Sequence, residues 1–147
     1  QCGEVIVRCS EVRAAIAARI IATPVDAKAS ARDVFRVIEF GQREVETAPS
    51  RAVLVRLTTQ PQRANFMLPQ DLFSVQFDIM VGYSDSSKVD DRIGDDSERL
   101  IQSLEGLPGA VLDIVQVRVS SNGVDSAEGF VSANFTIMCE YRLTAGV

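Results

Sequence analysis

The chain has 147 residues, 46% of them apolar, and a net charge of −5 at neutral pH. This is the length of one domain, and it suffices to bury a core without disulfides or metal ions. The acidic balance and the scattered arginines argue against a protein that grips nucleic-acid phosphates over a broad surface. No apolar run reaches the length of about 18 residues that a membrane-spanning helix needs, and the first residues lack the layout of a secretory signal.

The first predicted element is a helix over residues 10–22. Val12, Ile16 and Ile20 recur every four residues, which is typical of the buried face of an α-helix. Ser10 is expected to cap the start of this helix. A threonine–proline pair follows its last turn and is expected to end it, because the residue before a proline avoids the helical region.

Two strands are predicted next, over residues 34–40 and 52–58. The first is indicated by its β-branched and aromatic residues. In the second, Val53, Val55 and Leu57 alternate onto one face, which is typical of a strand that is buried on one side.

Two long segments, residues 73–83 and 131–143, give the clearest signal, because apolar residues occupy every second position. Those positions are Phe73, Val75, Phe77, Ile79, Val81 and Tyr83 in the first segment, and Val131, Ala133, Phe135, Ile137, Cys139, Tyr141 and Leu143 in the second. Such alternation predicts antiparallel strands with one covered face. Each polar face carries one methionine, Met80 or Met138, and the two are expected to be neighbours if the strands pair.

A helix over residues 90–105 is predicted between the long strands. Its apolar stripe contains Ile93, Leu100, Ile101 and Leu104, and Gly106 is expected as its C-cap.

A strand over 113–120 follows, with Val115, Val117 and Val119 predicted to face the core. A loop over 121–129, which contains an Asn-Gly pair, is then expected to turn the chain into the last strand. The order of elements predicts a single α+β domain over residues 1–147. Its sheet would be four- to five-stranded and mostly antiparallel, with helices packed on one face.

The chain contains no histidine, and this removes the commonest general base, metal ligand and triad partner. It has no glycine-rich phosphate-binding motif, and its only lysines are Lys28 and Lys88. The sequence therefore predicts that the protein is not an enzyme and that it holds no cofactor and no metal ion. Of the three cysteines, Cys139 is predicted to be a buried apolar residue, and a reducing cytoplasm is favoured over a bridge between Cys2 and Cys9.

Five aspartates crowd one region: Asp85, Asp90, Asp91, Asp95 and Asp96. A divalent cation among them is one interpretation, but their spacing differs from that of an EF-hand loop. The favoured interpretation is a solvated loop and helix start, where carboxylates interact well with the helix dipole.

A loop over residues 59–72 is longer than a hairpin needs, and long loops in compact domains are often functional. Its centre is the apolar triplet Phe66-Met67-Leu68, flanked by polar residues and prolines. The triplet either folds back over its own sheet or docks onto another subunit, since exposed apolar clusters mark interfaces.

These pieces together resemble a known family. An alanine-rich helix comes first, and the polar stretch Glu46-Thr47-Ala48-Pro49-Ser50 leads into a strand that starts Arg51-Ala52-Val53. The alternating strand 73–83, a helix that contains Arg99-Leu100-Ile101 and a closing hairpin follow. This order resembles the tail terminator proteins of long-tailed bacteriophages and, more loosely, the neck and tail-completion proteins that share that fold.

The resemblance implies a structural virion protein made in the host cytoplasm. Such proteins form a ring, usually of six copies, on the head-proximal end of the tail tube. The ring stops tube polymerisation and joins the tail to the neck. The implied partners are other copies of the chain, the tail tube protein and the neck or connector protein, while DNA passes through without specific binding.

If the chain is such a ring protein, Phe66, Met67 and Leu68 are predicted to lie at a subunit or tube interface. The five aspartates, or the polar face of the sheet, are the candidates for the surface that lines the channel. Six copies would carry a charge of about −30, six times −5, which repels DNA phosphates. A head-closure, tail-completion or tube protein of the same fold is one alternative, and a small cytoplasmic ligand-binding domain of ferredoxin-like type is another.

Overall fold

The computed structural model describes residues 8–23, 35–38, 51–63, 71–84, 88–109, 113–127 and 130–143. The helices are α1 (Cys9–Ala22) and α2 (Val89–Glu105), followed by a 3₁₀ turn at Leu107–Gly109. The strands are β1 (Arg36–Ile38), β2 (Ala52–Leu57), β3 (Gln62–Arg63), β4 (Asp71–Ser84), β5 (Ile114–Ala127) and β6 (Phe130–Leu143).

The strands form one sheet in the order β1-β2-β4-β6-β5, and β3 pairs with β4 beside that path. Among the described strands, only β1 and β2 run parallel; the other pairs are antiparallel. The predicted α+β class is confirmed, but the described residues form six strands rather than four or five. The difference arises from β3, a two-residue strand inside what was predicted as a loop.

Strands β4 and β6, which contain the two alternating segments, lie side by side in the sheet. They pair without a break from Asp71 opposite Leu143 to Ser84 opposite Phe130. Their predicted inward sets form the middle of the core, with Phe77, Ile137 and Cys139 fully buried. Complete pairing holds this pattern in register, because a slip of one residue would turn every apolar side chain toward the other face.

Both helices cover the same face of the sheet. Val12, Ile16 and Ile20 of α1 are fully buried, as the four-residue spacing predicted. Two arginines of α1 reach across the interface. The guanidinium of Arg13 donates to the backbone oxygen of Val55 at 2.7 Å, and that of Arg19 donates to the oxygen of Ser103 on α2 at 2.9 Å.

The helix ends follow the predictions in part. Gly106 is the C-cap of α2, and its N–H donates to the backbone oxygen of Gln102 at 3.1 Å. Ser10 is not the N-cap of α1: the helix begins one residue earlier, and its N-cap is Arg8, which makes no side-chain cap hydrogen bond.

Strand β5 differs most from its prediction. It continues to Ala127, so the Asn-Gly pair lies inside a strand and not in a turn. The pairing with β6 skips a residue between Ile114 and Gln116 and again between Val119 and Ser121. The first of these bulges turns Val115 outward, where it is 38% exposed, and places Ile114 in the core instead. Leu57 of β2, also predicted to face the core, is 50% exposed.

Candidate functional site

The sheet face away from the helices is built from rows of side chains that cross the strands. Residues directly opposite each other in paired strands place their side chains on the same face. One such row runs Leu54, Met80, Asn134, Gly123 from β2 to β5. The next runs Arg56, Asp78, Thr136 from β2 to β6.

These rows line a groove of about 510 Å³. Its lining is Leu54, Arg56, Leu57, Thr58, Asp78, Ile79, Met80, Asn122, Gly123, Asn134, Phe135 and Thr136. Apolar side chains and polar groups are present in similar numbers. An added side chain at Gly123 would meet nothing within 4 Å, so the groove is open toward β5. Such a surface suits contact with a polar segment rather than enclosure of an apolar ligand.

The charged groups of the groove are not matched to each other. Arg56 stands opposite Asp78, yet the Asp78 carboxylate accepts a hydrogen bond from the Thr136 hydroxyl at 2.9 Å. Among the described residues, no hydrogen bond or ion pair involves the Arg56 guanidinium. The groove therefore offers one cation to whatever docks on this face.

The second half of β5 is highly exposed. Every residue from Asn122 to Ser126 is exposed, and Val124 is 59% exposed. Pairing with β6 is regular from Ser121 to Ala127, so no bulge disturbs this half. The segment also contains no lysine and no proline, the residues that commonly protect an edge strand. Among the described strands, β5 pairs only with β6, so no described strand lies along its outer edge.

A buried ionic cluster ties α2 to the sheet. The Arg51 guanidinium donates from Nε to Asp96 Oδ2 at 2.8 Å and from Nη2 to Oδ1 at 3.2 Å. The Tyr83 hydroxyl donates to the same Oδ2 at 2.8 Å. The Asp96 side chain is 1% exposed and that of Arg51 is 8% exposed, so this is a desolvated pair. Arg99 adds a longer contact of 3.7 Å from the solvent side.

The backbone of Arg51 is held as firmly as its side chain. Its φ is 69°, in the left-handed region that residues with a side chain seldom occupy. Its N–H donates to the Gly82 oxygen at 2.7 Å, and its own oxygen accepts from the Arg36 N–H at 3.0 Å. These bonds, together with the ion pair, offset the strain of the turn and direct the guanidinium inward.

The cluster keeps Tyr83 protonated. Burial contributes most, and the charge and hydrogen bond of Asp96 add to it, so that the pKa of Tyr83 is raised far above its ordinary value. A phenol that stays neutral remains a donor to the carboxylate at every physiological pH. The cluster thus has the chemistry of a fixed structural anchor.

The predicted acidic surface is divided by the structure. Asp90, Asp91 and Asp95 are exposed on α2, as the prediction of a solvated helix start requires. The prediction that Asp96 belongs to a solvated, channel-facing surface is wrong, because its side chain is buried against Arg51. Asp85 lies outside the described residues. In the part of the chain that the structure describes, no three potential ligands among His, Cys, Asp and Glu come together to hold a metal ion.

Two other predicted features have different outcomes. Phe66, Met67 and Leu68 lie outside the described residues, so their interface role stays a prediction. Met80 and Met138 are not direct neighbours, because Met80 stands opposite Asn134 and Met138 opposite Gln76. Four residues along the strand separate the two positions, roughly 13 Å.

Sequence reasoning missed the Arg51–Asp96–Tyr83 cluster, although a signal was present. Asp96 lies three residues after Ile93 and four before Leu100, on the buried stripe of its helix. A carboxylate at such a position requires a buried cation, because an unpaired charge in the core is costly. The exposed half of β5 was missed because the Asn-Gly pair favoured a turn.

No family model matches the chain, and no curated protein matches it either. None of the helices in the described part of the chain is long and apolar enough to cross a membrane.

Proposed function

We propose that the protein is a structural subunit of a homo-oligomeric ring that caps the head-proximal end of a bacteriophage tail tube and joins the tail to the neck. The observation that carries the proposal is the second half of β5. Its residues 122–126 are all exposed, include no lysine or proline, pair regularly with β6 and lie at the edge of the described sheet. Natural proteins protect long edges unless those edges take part in pairing.

The groove on the sheet face away from the helices supports the same function. It adjoins the exposed half of β5 through Asn122 and Gly123, so edge and face form one continuous contact surface. Subunits of a ring need two different surfaces, one for each neighbour, and a further surface for the structures above and below. The choice of a tail terminator within this class rests on the resemblance in element order.

Growth of tail tubes in the presence of the protein tests the proposal. Purified tube subunits are allowed to polymerise with and without the protein, and tube lengths are measured by electron microscopy. The proposal predicts shorter tubes with additional density at one end only. Tubes of unchanged length and bare ends would contradict a terminator role. Binding at the tube end without a length change would favour the alternative of a tail-completion or head-closure protein.

The groove itself favours a second function, that of a small ligand-binding domain. Its volume of about 510 Å³ lies in the range of small-molecule sites, and Arg56 offers a cation to an anionic ligand. A binding domain would remain monomeric, and its melting temperature would rise with a carboxylate ligand. A ring-forming subunit would show concentration-dependent association and no such rise.

A further inference from the structure

The two outermost strands of the described sheet have a simple relation to each other. Strand β1 lies at one end of the strand order and β5 at the other. A single cross-strand row connects Arg36 of β1 with Asp125 of β5 and passes through Ala52, Gly82 and Ser132. The next row connects Val37 with Val124 through Val53, Val81 and Ala133. Each row thus ends in complementary side chains.

We propose that the exposed half of β5 pairs with β1 of a second copy of this chain, Asp125 opposite Arg36 and Val124 opposite Val37. This inference rests on the proposed function and names the subunit contact of the ring. The strand directions agree with it. In the sheet β1 and β5 run in opposite directions, so two copies placed side by side in the same orientation bring them together as an antiparallel pair.

The faces of the two strands agree as well. Val124 stands opposite Ala133 and Val37 opposite Val53, and both of these partners belong to the helix-covered core face. Asp125 and Arg36 both belong to the opposite face. In an antiparallel pair, opposed residues share a face, so valine meets valine and carboxylate meets guanidinium. A register shifted by one residue would lose both matches at once.

The charges favour this pairing over others. Arg36 is exposed, and no hydrogen bond or ion pair of its guanidinium to another described residue exists. Asp125 accepts one bond, from the Asn134 amide at 2.9 Å, and keeps capacity for a further donor. The contact joins two ends of the same row, so it adds no displacement along the strands. A head-to-tail contact gives a ring when its rotation closes, and the absence of a displacement along the strands agrees with a ring.

Disulfide trapping tests the register directly. The variants Val37→Cys and Val124→Cys, each in a chain whose Cys2 and Cys9 are replaced by serine, are mixed in equal amounts. One of them carries an affinity tag, and oxidised glutathione is added as the oxidant. Opposed strand positions lie about 4.5–5.5 Å apart between Cα atoms, within the reach of a disulfide. We expect mixed dimers that join the two variants, and from the double variant a ladder that ends at the copy number of the ring. Glu105→Cys, on the exposed end of α2, is the control for random collision.

The charge pair is tested by exchange. Asp125→Arg and Arg36→Asp should each raise the concentration at half-assembly by about fivefold per contact, and the double exchange should restore it. Glu105→Arg makes the same charge change as Asp125→Arg, away from the proposed contact, and should have no such effect.

The two experiments separate the pairing of β5 with β1 from the proposed ring function. Rings that assemble without mixed cross-links, or Val124→Cys chains that link to each other, would overturn the pairing and leave the proposed function standing. A parent chain that stays monomeric even with tail tubes would overturn both.

Discussion

Asp96 of α2 accepts two hydrogen bonds from Arg51, at 2.8 and 3.2 Å, in a site where neither side chain is more than 8% exposed. The two residues lie 45 positions apart in the sequence. Their contact fixes the first half of α2 against the turn before β2. Because the Arg51 backbone also joins β1 and β4, the pair locates the edge strand that the proposed subunit contact uses.

Removal of the carboxylate should therefore destabilise the fold strongly. Asp96→Asn leaves the Arg51 charge buried and without its counterion, and we expect a loss of about 3–5 kcal/mol in the free energy of unfolding. Tyr83→Phe removes one hydrogen bond and should cost about 1–1.5 kcal/mol. Urea unfolding measures both. Asp95→Asn, the exposed neighbour, is the matched control and should change stability by no more than about 0.5 kcal/mol. Equal losses of stability in Asp96→Asn and Asp95→Asn would refute the stabilising role of the Arg51–Asp96 pair.

Alkaline pH should weaken the fold through buried groups that stay protonated. The pKa of Tyr83 is raised in the folded state, so its contribution is fully present below its unfolded value of about 10 and is lost as the pH rises above that value. Burial likewise raises the pKa of Cys139 to about 12, and its contribution is lost from about pH 9 upward.

Urea unfolding between pH 8 and pH 11 measures this dependence. In Tyr83→Phe, the free energy of unfolding should fall less steeply above pH 10 than in the parent, by up to about 1.4 kcal/mol per pH unit. An unchanged slope in this variant would show that Tyr83 ionises as easily when folded as when unfolded.

The fold was predictable where one periodicity extended over many residues. The alternation in β4 and β6 and the stripe of α1 gave the central strands, a helix and most of the core. The bulges of β5 were not predictable, because they depend on pairing with β6: Val115 has the alternation of an inward residue but is turned outward. Asp96 was misplaced because its partners, Arg51 and Tyr83, come from distant segments. The match between β1 and the exposed half of β5 depends on the order of the strands in the sheet, and no local sequence pattern predicts that order.

The apolar triplet at residues 66–68 remains a prediction from the sequence. Replacement of Phe66, Met67 and Leu68 by serine should leave the monomer folded and should block assembly. Burial of each such side chain contributes roughly 1.5–3 kcal/mol to association. Circular dichroism and the urea midpoint report folding, and sedimentation reports assembly. If the triple variant fails to fold, the triplet packs over its own sheet and has no interface role.

Negative-stain imaging of the purified protein beside its Val124→Lys variant tests the central claim most directly. Val124 is 59% exposed, so lysine at this position should leave the stability of the subunit within about 0.5 kcal/mol of the parent while it blocks the edge of β5. The account predicts closed rings with an axial channel for the parent and single subunits for the variant. Single subunits in both samples, at high concentration and with tail tubes added, would contradict it.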